Sequence, residues 1–178
     1  MKNNPFLGLA IQDAPHILIA GGTAQERKNC ADCLEEALLT QDASTEILHI
    51  GGQDDAEQVL EALCVEMAGR LKASRKTLAQ LPRKICFIEE FADSPLQPIL
   101  DLTAKGRAAR IHLIVATQRL TPDVITGQVK AHFPTRIAFK TSTREESILL
   151  VDLAFAERLS GDGDLILSSG LDLQRLHL

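Results

Sequence analysis

A glycine pair followed by a charged segment is the part of this chain whose residue types could bind phosphate. The segment is GGTAQERK, residues 21–28, directly after the apolar run 17–20. A phosphate-binding loop has the pattern GxxxxGK[ST], because bare backbone amides surround the phosphates, Lys neutralises them and a hydroxyl holds magnesium. Gly21 begins a match to this pattern. The match then fails, since Glu26 stands at the second glycine, Arg27 at the Lys and Lys28 at the hydroxyl.

A shift of the pattern by one residue does not restore it. Lys28 then falls on the Lys position, but Arg27 replaces the second glycine and Asn29 replaces the hydroxyl. A side chain at the second glycine takes space that the phosphates need. A carboxylate there repels a polyphosphate by roughly 4 kcal/mol per charge pair at about 4 Å and intermediate dielectric. The alternative interpretation is an ordinary strand, turn and helix with no ligand.

Two acids, Glu89 and Glu90, follow the apolar run 84–88. Acids in this position could bind a metal or activate water. A hydrophobic strand that ends in two acids is also common by chance, and the carboxylates are then solvated. The residues alone leave both interpretations open.

Short apolar runs alternate with longer stretches of helical periodicity, which predicts the elements that must position these groups. Strands are predicted at residues 17–20, 46–50, 84–88, 111–116, 136–139 and 164–167, and a helix over about 25–39. Continuous apolar strands separated by helices indicate an α/β fold whose mostly parallel sheet is covered on both faces.

Several longer segments carry a family resemblance. Residues 107–140 contain RAARIHLIVATQR, then DVITG, then PTRIAF, and residues 85–93 read ICFIEEFAD. These segments resemble FtsK and SpoIIIE, DNA translocases of the HerA/FtsK-like P-loop ATPase superfamily, and 55–70, 159–165 and 175–177 resemble further parts in the same order. The resemblance implies a three-layer RecA-like core, ATP and Mg²⁺ as ligands, and an oligomeric ring that acts on double-stranded DNA.

The resemblance also implies roles for individual residues. Glu89, where relatives carry Asp, would help to hold Mg²⁺, and Glu90 would polarise the attacking water. Gln118 would contact the γ-phosphate or the water, and Arg107 would act in trans on the nucleotide of a neighbouring subunit. The degenerate nucleotide loop would consist of Gly21, Gly22, Thr23, Arg27 and Lys28. Without the resemblance, Arg107 reads as a helix-surface charge.

Length and composition predict one domain over residues 1–178, with 1–14 as an N-terminal edge segment and without the winged-helix domain of the relatives. We find no apolar run of about 20 residues and no secretory leader, so we expect a cytoplasmic location, with the four Cys reduced. The net charge of −5 requires any DNA contact to come from a local basic patch.

The one dense basic segment contains Arg70, Lys72, Arg75 and Lys76, which we interpret as a DNA-binding candidate. The alternative is a solvated helix end. Cys30 and Cys33 have CxxC spacing, but they lie on the predicted buried stripe of a helix, which favours a core role over a redox or zinc role.

Three functional hypotheses follow from the sequence. The first is a degenerate motor-core domain with weak or absent ATP binding and hydrolysis in a DNA-handling assembly. The second is an active DNA-dependent ATPase and translocase that uses Lys28 on phosphate and Glu90 as the base. The third is a protein-interaction scaffold without ligands.

Overall fold

The computed structural model describes residues 4–9, 11, 13–51, 53–170 and 172–178, with the backbone alone for 53–55. These residues form seven strands and six α-helices. The strands are β1 His16–Ala20, β2 Glu46–Ile50, β3 Lys84–Ile88, β4 Ile111–Thr117, β5 Thr135–Ala138, β6 Asp164–Ser169 and β7 Asp172–His177. The helices are α1 Ala24–Gln41, α2 Gln53–Lys72, α3 Arg75–Gln80, α4 Leu96–Lys105, α5 Gly127–His132 and α6 Arg144–Val151. Short 3₁₀ helices cover Phe91–Asp93, Gly106–Ala109 and Ala156–Arg158.

The strands form one sheet in the order β2-β3-β4-β1-β5-β6-β7. The first five strands of this order run parallel to one another, whereas β6 is antiparallel to both β5 and β7. Each of the six predicted strands is present to within two residues. The predicted α/β fold with a mostly parallel sheet is therefore confirmed.

Both faces of the sheet are covered, as the continuous apolar strands require. On one face, Leu18 and Val115 pack in a cluster that includes residues of α2, α4, α5 and α6. On the other face, Ile19 and Ile114 pack in a cluster that includes residues of α1. Alternate side chains of a strand point to opposite faces, so one buried run supplies both clusters. The result is three layers.

The predicted N-terminal edge segment, residues 1–14, is described in part. Phe6, Ile11 and Ala14 are buried in the cluster that contains α1. Residues 1–3, 10 and 12 lie outside the described part of the chain. Within the described residues, no helix combines the length and apolar character that a bilayer crossing requires.

Candidate functional site

Three parallel strands bring the predicted nucleotide residues, together with Glu89, Glu90 and Gln118, to one edge of the sheet. Gly21 follows β1, Glu89 and Glu90 follow β3, and Gln118 follows β4. Since β4 lies between β1 and β3, these residues meet at the carboxyl ends of adjacent strands. Open α/β sheets commonly bind ligands at this edge.

The turn after β1 is three residues long, from Gly21 to Thr23. Gly21 and Gly22 have φ angles of 79° and 60°, in the region that favours glycine. A Cβ atom at Gly21 would lie 2.8 Å from the carbonyl oxygen of Phe139, so the backbone of the next strand also requires glycine there. The amide of Gly22 donates to the carbonyl of Lys140 at 2.9 Å.

Helix α1 begins at Ala24 because Thr23 caps it. The hydroxyl of Thr23 accepts from the amide of Glu26 at 3.1 Å, and the Glu26 carboxylate accepts from the amide of Thr23 at 2.8 Å. This reciprocal pair is a capping box. As a result, residues 24–26, which the phosphate-loop pattern places in an open loop, already form the first helical turn.

The Glu26 carboxylate accepts hydrogen bonds from three donors at the start of α1. One oxygen accepts from the amide and the hydroxyl of Thr23, at 2.8 and 2.9 Å. The other accepts from the amide of Gly163 at 3.2 Å. Partial burial alone would raise the pKa of Glu26, but the hydrogen bonds from Thr23 and Gly163 outweigh it and lower the pKa. A side-chain anion therefore lies at the helix start, where the dipole favours negative charge.

The Arg27 side chain binds the backbone of this turn. One terminal nitrogen of its guanidinium donates to the carbonyl oxygens of Gly21 and Gly22, at 3.0 Å each, and the side chain is only 7% exposed. Burial lowers the pKa of Arg27. The predicted role of Arg27 as a nucleotide ligand competes with these backbone contacts. Lys28 is exposed on the next position of the helix.

The Glu90 carboxylate is hydrogen-bonded to residues at the end of the neighbouring strand, β4. One carboxylate oxygen accepts from the hydroxyl of Thr117 and from the amide of Ala92, and the other accepts from the amide of Gln118 at 2.9 Å. Thr117 is fully buried, and its hydroxyl also accepts from the amide of Arg119. These bonds join the end of β3 to the end of β4. The Arg119 side chain pairs with Asp93.

A cleft of about 620 Å³ opens between α1 and the ends of β3 and β4. Its charged lining includes Arg27, Lys28, Asp32, Glu89 and Glu90, above an apolar floor that includes Phe87. Cations and carboxylates thus line the same cleft. Within the described residues, no group of three or more His, Cys, Asp or Glu could hold a metal ion by itself.

Three contributors to this edge were not predicted as site residues. Thr117 lies beside the predicted Gln118, but a Thr at a strand end carries no signal of its own. Gly163 lies 137 residues after Glu26 in the chain, so no local pattern could connect the two. His49 lines the cleft and stacks on Phe87, with ring centroids 5.2 Å apart.

The remaining predicted residues lie near the other ends of the strands, where the strands begin. Arg107 is exposed on the 3₁₀ helix that precedes β4, and Lys72, Arg75 and Lys76 are exposed around the end of α2 and the start of α3. Their elements lead into the amino ends of β3 and β4. The structure therefore does not bring these cations to Glu90 of the same chain.

Arg70 requires a correction. Its side chain is 5% exposed, and its guanidinium binds the Glu66 carboxylate and the carbonyl oxygens of Pro82 and Ala109. A guanidinium engaged in this way is not available to a DNA phosphate. The DNA-binding candidates are therefore Lys72, Arg75 and Lys76.

Comparisons with known proteins show which sequences and structures this chain is similar to. No family model matches the chain. The DNA translocase SftA of Bacillus subtilis is 39% identical over 109 residues, which cover 57% of this chain and 11% of SftA. The DNA translocase FtsK of Borreliella burgdorferi is 29% identical over a gapped alignment 208 residues long, which covers 90% of this chain and 26% of FtsK. The chain thus spans between about a tenth and a quarter of these relatives.

Solved structures show the same architecture. The pCW3 conjugation coupling protein TcpA, in a monomer form with ATPγS, matches with a TM-score of 0.82 and 24% identity over 94% of this chain and 60% of TcpA. The cytoplasmic domain of the type VII secretion ATPase EccC of Thermomonospora curvata matches with a TM-score of 0.76 and 18% identity over 92% of this chain and 25% of EccC. The predicted three-layer RecA-like fold is thereby confirmed. This chain is therefore similar in sequence to the DNA translocases SftA and FtsK and similar in fold to TcpA and EccC.

Proposed function

We propose that the chain is a degenerate motor-core domain of the FtsK/SpoIIIE type, which acts in a DNA-handling assembly without tight ATP binding. Residues 1–178 form one such domain in this proposal. The observation that carries it is the position of Glu26, whose carboxylate takes the amide and hydroxyl of Thr23 and the amide of Gly163. The side chain of Glu26 supplies the negative charge that a bound phosphate would otherwise bring.

Two physical effects oppose a triphosphate at this turn. The helix begins at Ala24, so its first turn fills space that an open loop would leave for phosphates. The fixed carboxylate repels an incoming phosphate by roughly 4 kcal/mol per charge pair at about 4 Å. The residues present therefore do not fit ATP and Mg²⁺ in the manner of an intact phosphate loop.

Titration with a fluorescent ATP analogue and Mg²⁺ tests the proposal. We expect the natural chain to remain unsaturated at about 100 μM nucleotide, which means a Kd well above that concentration. A variant with Glu26→Gly, Arg27→Lys and Lys28→Ser rebuilds the pattern, and we expect it to gain affinity if it folds. Glu36→Gly on the exposed face of α1 is the matched control for the cost of a helical glycine.

A second candidate function is an active ATPase with an unusual loop. It is favoured by one observation, namely that Lys28, Glu89 and Glu90 line the same cleft. Binding by the natural chain in the micromolar range, with hydrolysis that Glu90→Gln abolishes, would establish this candidate and end the degenerate one.

The assembly is also part of the proposal. The names of the relatives SftA and FtsK describe DNA translocases, and we extend double-stranded DNA to this chain as its partner. We propose Lys72, Arg75 and Lys76 as the phosphate contacts, because they are exposed and close in sequence. An oligomeric ring, the action of Arg107 in trans and the cytoplasmic location stay predictions. A chain that binds no DNA at low salt would instead act as a protein-interaction scaffold.

A further inference from the structure

A cluster of exposed apolar side chains lies away from the cleft, at the β7 end of the sheet. Leu153, Phe155 and Leu173 are 49%, 43% and 43% exposed, although each is a large hydrophobic residue. All three line a pocket of about 280 Å³, together with Val151, Ile166 and Arg175. Exposed apolar groups that converge on one pocket are typical of an interaction surface.

The loop that carries Leu153 and Phe155 is held in place by Ser147. The buried hydroxyl of Ser147 donates to the carbonyl of Leu153 at 2.6 Å and accepts from the amides of Phe155 and Ala156. These bonds fix the loop against α6 before any partner arrives. A surface that is already ordered loses little entropy on binding, so its exposed apolar groups are prepared for a contact.

Strand β7 borders the pocket and lies at the edge of the sheet. It pairs with β6 on one side, and no other described strand pairs with it. Its second row of backbone amides and carbonyls therefore faces outward, as in sheets that bind an extended peptide as an additional strand. Leu173 and Arg175 are two residues apart, so they project from the same face of β7, and both line the pocket.

Arg175 determines the charge that suits this edge. Among the described residues that line the pocket, it is the one with a charged side chain. Its Nε and one terminal nitrogen bind the buried carboxylate of Asp164, at 2.8 and 2.6 Å. The other terminal nitrogen binds no acceptor in the described part of the chain, and the side chain is 57% exposed. A carboxylate on a strand added beside β7 would accept a hydrogen bond from this nitrogen.

We propose that β7 accepts an extended segment of a partner protein as an eighth strand. The segment carries a bulky apolar side chain opposite Leu173, which fills the pocket, and a carboxylate two residues away, opposite Arg175. Directly opposed residues on neighbouring strands form the contacts that select such a partner. This proposal is independent of ATP binding and goes beyond the function proposed above.

A second copy of β7 fits this edge less well. Antiparallel pairing about a two-fold axis at Gln174 would place Leu173 of one copy opposite Arg175 of the other. An axis at Arg175 would place two guanidinium groups opposite each other. Neither register supplies the carboxylate, so charge complementarity favours a different protein.

Titration of the ¹⁵N-labelled chain with short peptides tests the proposal. The probes are blocked peptides Thr-Val-Thr-Leu-Thr-Asp-Thr and its reversed sequence, which cover both strand directions. We expect one of them, at about 1 mM, to shift the amide signals of Asp172–His177 and of the loop at 153–155. Replacement of the peptide Asp by Lys should weaken binding about fivefold, and replacement of Leu by Ala should weaken it further.

Variants of the chain separate binding from folding. Phe155→Ser and Leu173→Ser should each reduce peptide binding, whereas Leu96→Ser, which removes an equally exposed apolar side chain elsewhere, should not. Circular dichroism confirms that each variant is folded. The proposal is overturned if neither peptide shifts β7, or if the Lys peptide binds as well as the Asp peptide. It is also overturned if the chain dimerises through β7, with the dimer lost in Leu173→Ser.

Discussion

The Glu26 carboxylate accepts a hydrogen bond from the amide of Gly163 at 3.2 Å and thereby ties the start of α1 to the turn before β6. The same carboxylate caps α1 through Thr23. One side chain thus joins two segments that lie 137 residues apart. This link explains why an acid at this position is compatible with the fold.

Replacement of Glu26 by Ala should destabilise the protein by about 1–2 kcal/mol, because a helix cap and a long-range hydrogen bond are lost together. Urea unfolding at pH 7 measures the change. Glu36→Ala, which removes an exposed acid from the same helix, should change the stability by no more than about 0.5 kcal/mol. Equal effects of the two substitutions would show that Glu26 is not a structural anchor.

Thr117→Val should destabilise the protein by about 1–3 kcal/mol, since it removes the donor to Glu90 and the acceptor for the amide of Arg119 at a fully buried position. Val preserves the shape of the side chain, so the loss reports the hydroxyl. Thr117→Ser keeps the hydroxyl and should retain more of the stability despite the missing methyl group. A Val variant more stable than the Ser variant contradicts the assigned bonds.

Arg70→Ala should cost about 3 kcal/mol of stability, because the buried guanidinium bonds the Glu66 carboxylate and two carbonyl oxygens. Arg75→Ala, at an exposed position a few residues later, should be nearly neutral. Thermal unfolding of the two variants measures the difference. If both variants lose DNA affinity without losing stability, Arg70 contacts DNA after all.

Joint replacement of Lys72, Arg75 and Lys76 by Gln should weaken binding to double-stranded DNA. It should also make the negative slope of log K against log salt shallower by about 3. The reason is that each phosphate contact releases roughly one counterion. Fluorescence anisotropy of a labelled duplex across a salt series measures the slope. The control triple variant replaces Arg144, Arg158 and Lys140, and an equal loss of slope there would refute a localised basic patch.

Two buried histidines should make the protein sensitive to mild acid. Burial, with smaller contributions from neighbouring His and Arg charges, lowers the pKa of His16 to about 3 and that of His112 to about 4. The unfolded chain protonates both near pH 6.5, so between pH 6.5 and about 4 the unfolded state binds more protons than the folded state. Stability therefore falls as pH falls through this window, by up to about 1.4 kcal/mol per pH unit for each His.

Urea unfolding between pH 7.5 and 4.5 measures this slope. The carboxylates with lowered pKa, among them Glu26 and Asp152, add their own loss only near and below pH 4.5. His112→Gln should reduce the slope, and His177→Gln, at an exposed position, is the control for the substitution itself. Identical slopes in the natural protein and both variants would mean that His112 binds no additional proton when the protein unfolds.

The strands could be predicted from sequence because a sheet covered on both faces needs uninterrupted apolar runs, as in 84–88 and 111–116. The antiparallel course of β6 and β7 was not predictable in this way, since strand direction depends on the connections between strands. The basic segment shows a second limit. Arg70 and Arg75 have the same charge and lie in the same basic segment, and only the packing of α2 buries the former.

By itself, the sequence determined the order of the elements, the resemblance to DNA translocases and the departures from the phosphate-loop pattern at Glu26, Arg27 and Lys28. All three depend on residue types at short spacing. The tertiary structure alone decided what those side chains do. Glu26 accepts a hydrogen bond from the amide of Gly163, and Glu90 accepts one from the hydroxyl of Thr117. Arg27 donates to the carbonyls of the turn. Hydrogen bonds depend on distance in space, and the chain brings these groups together only when the sheet forms.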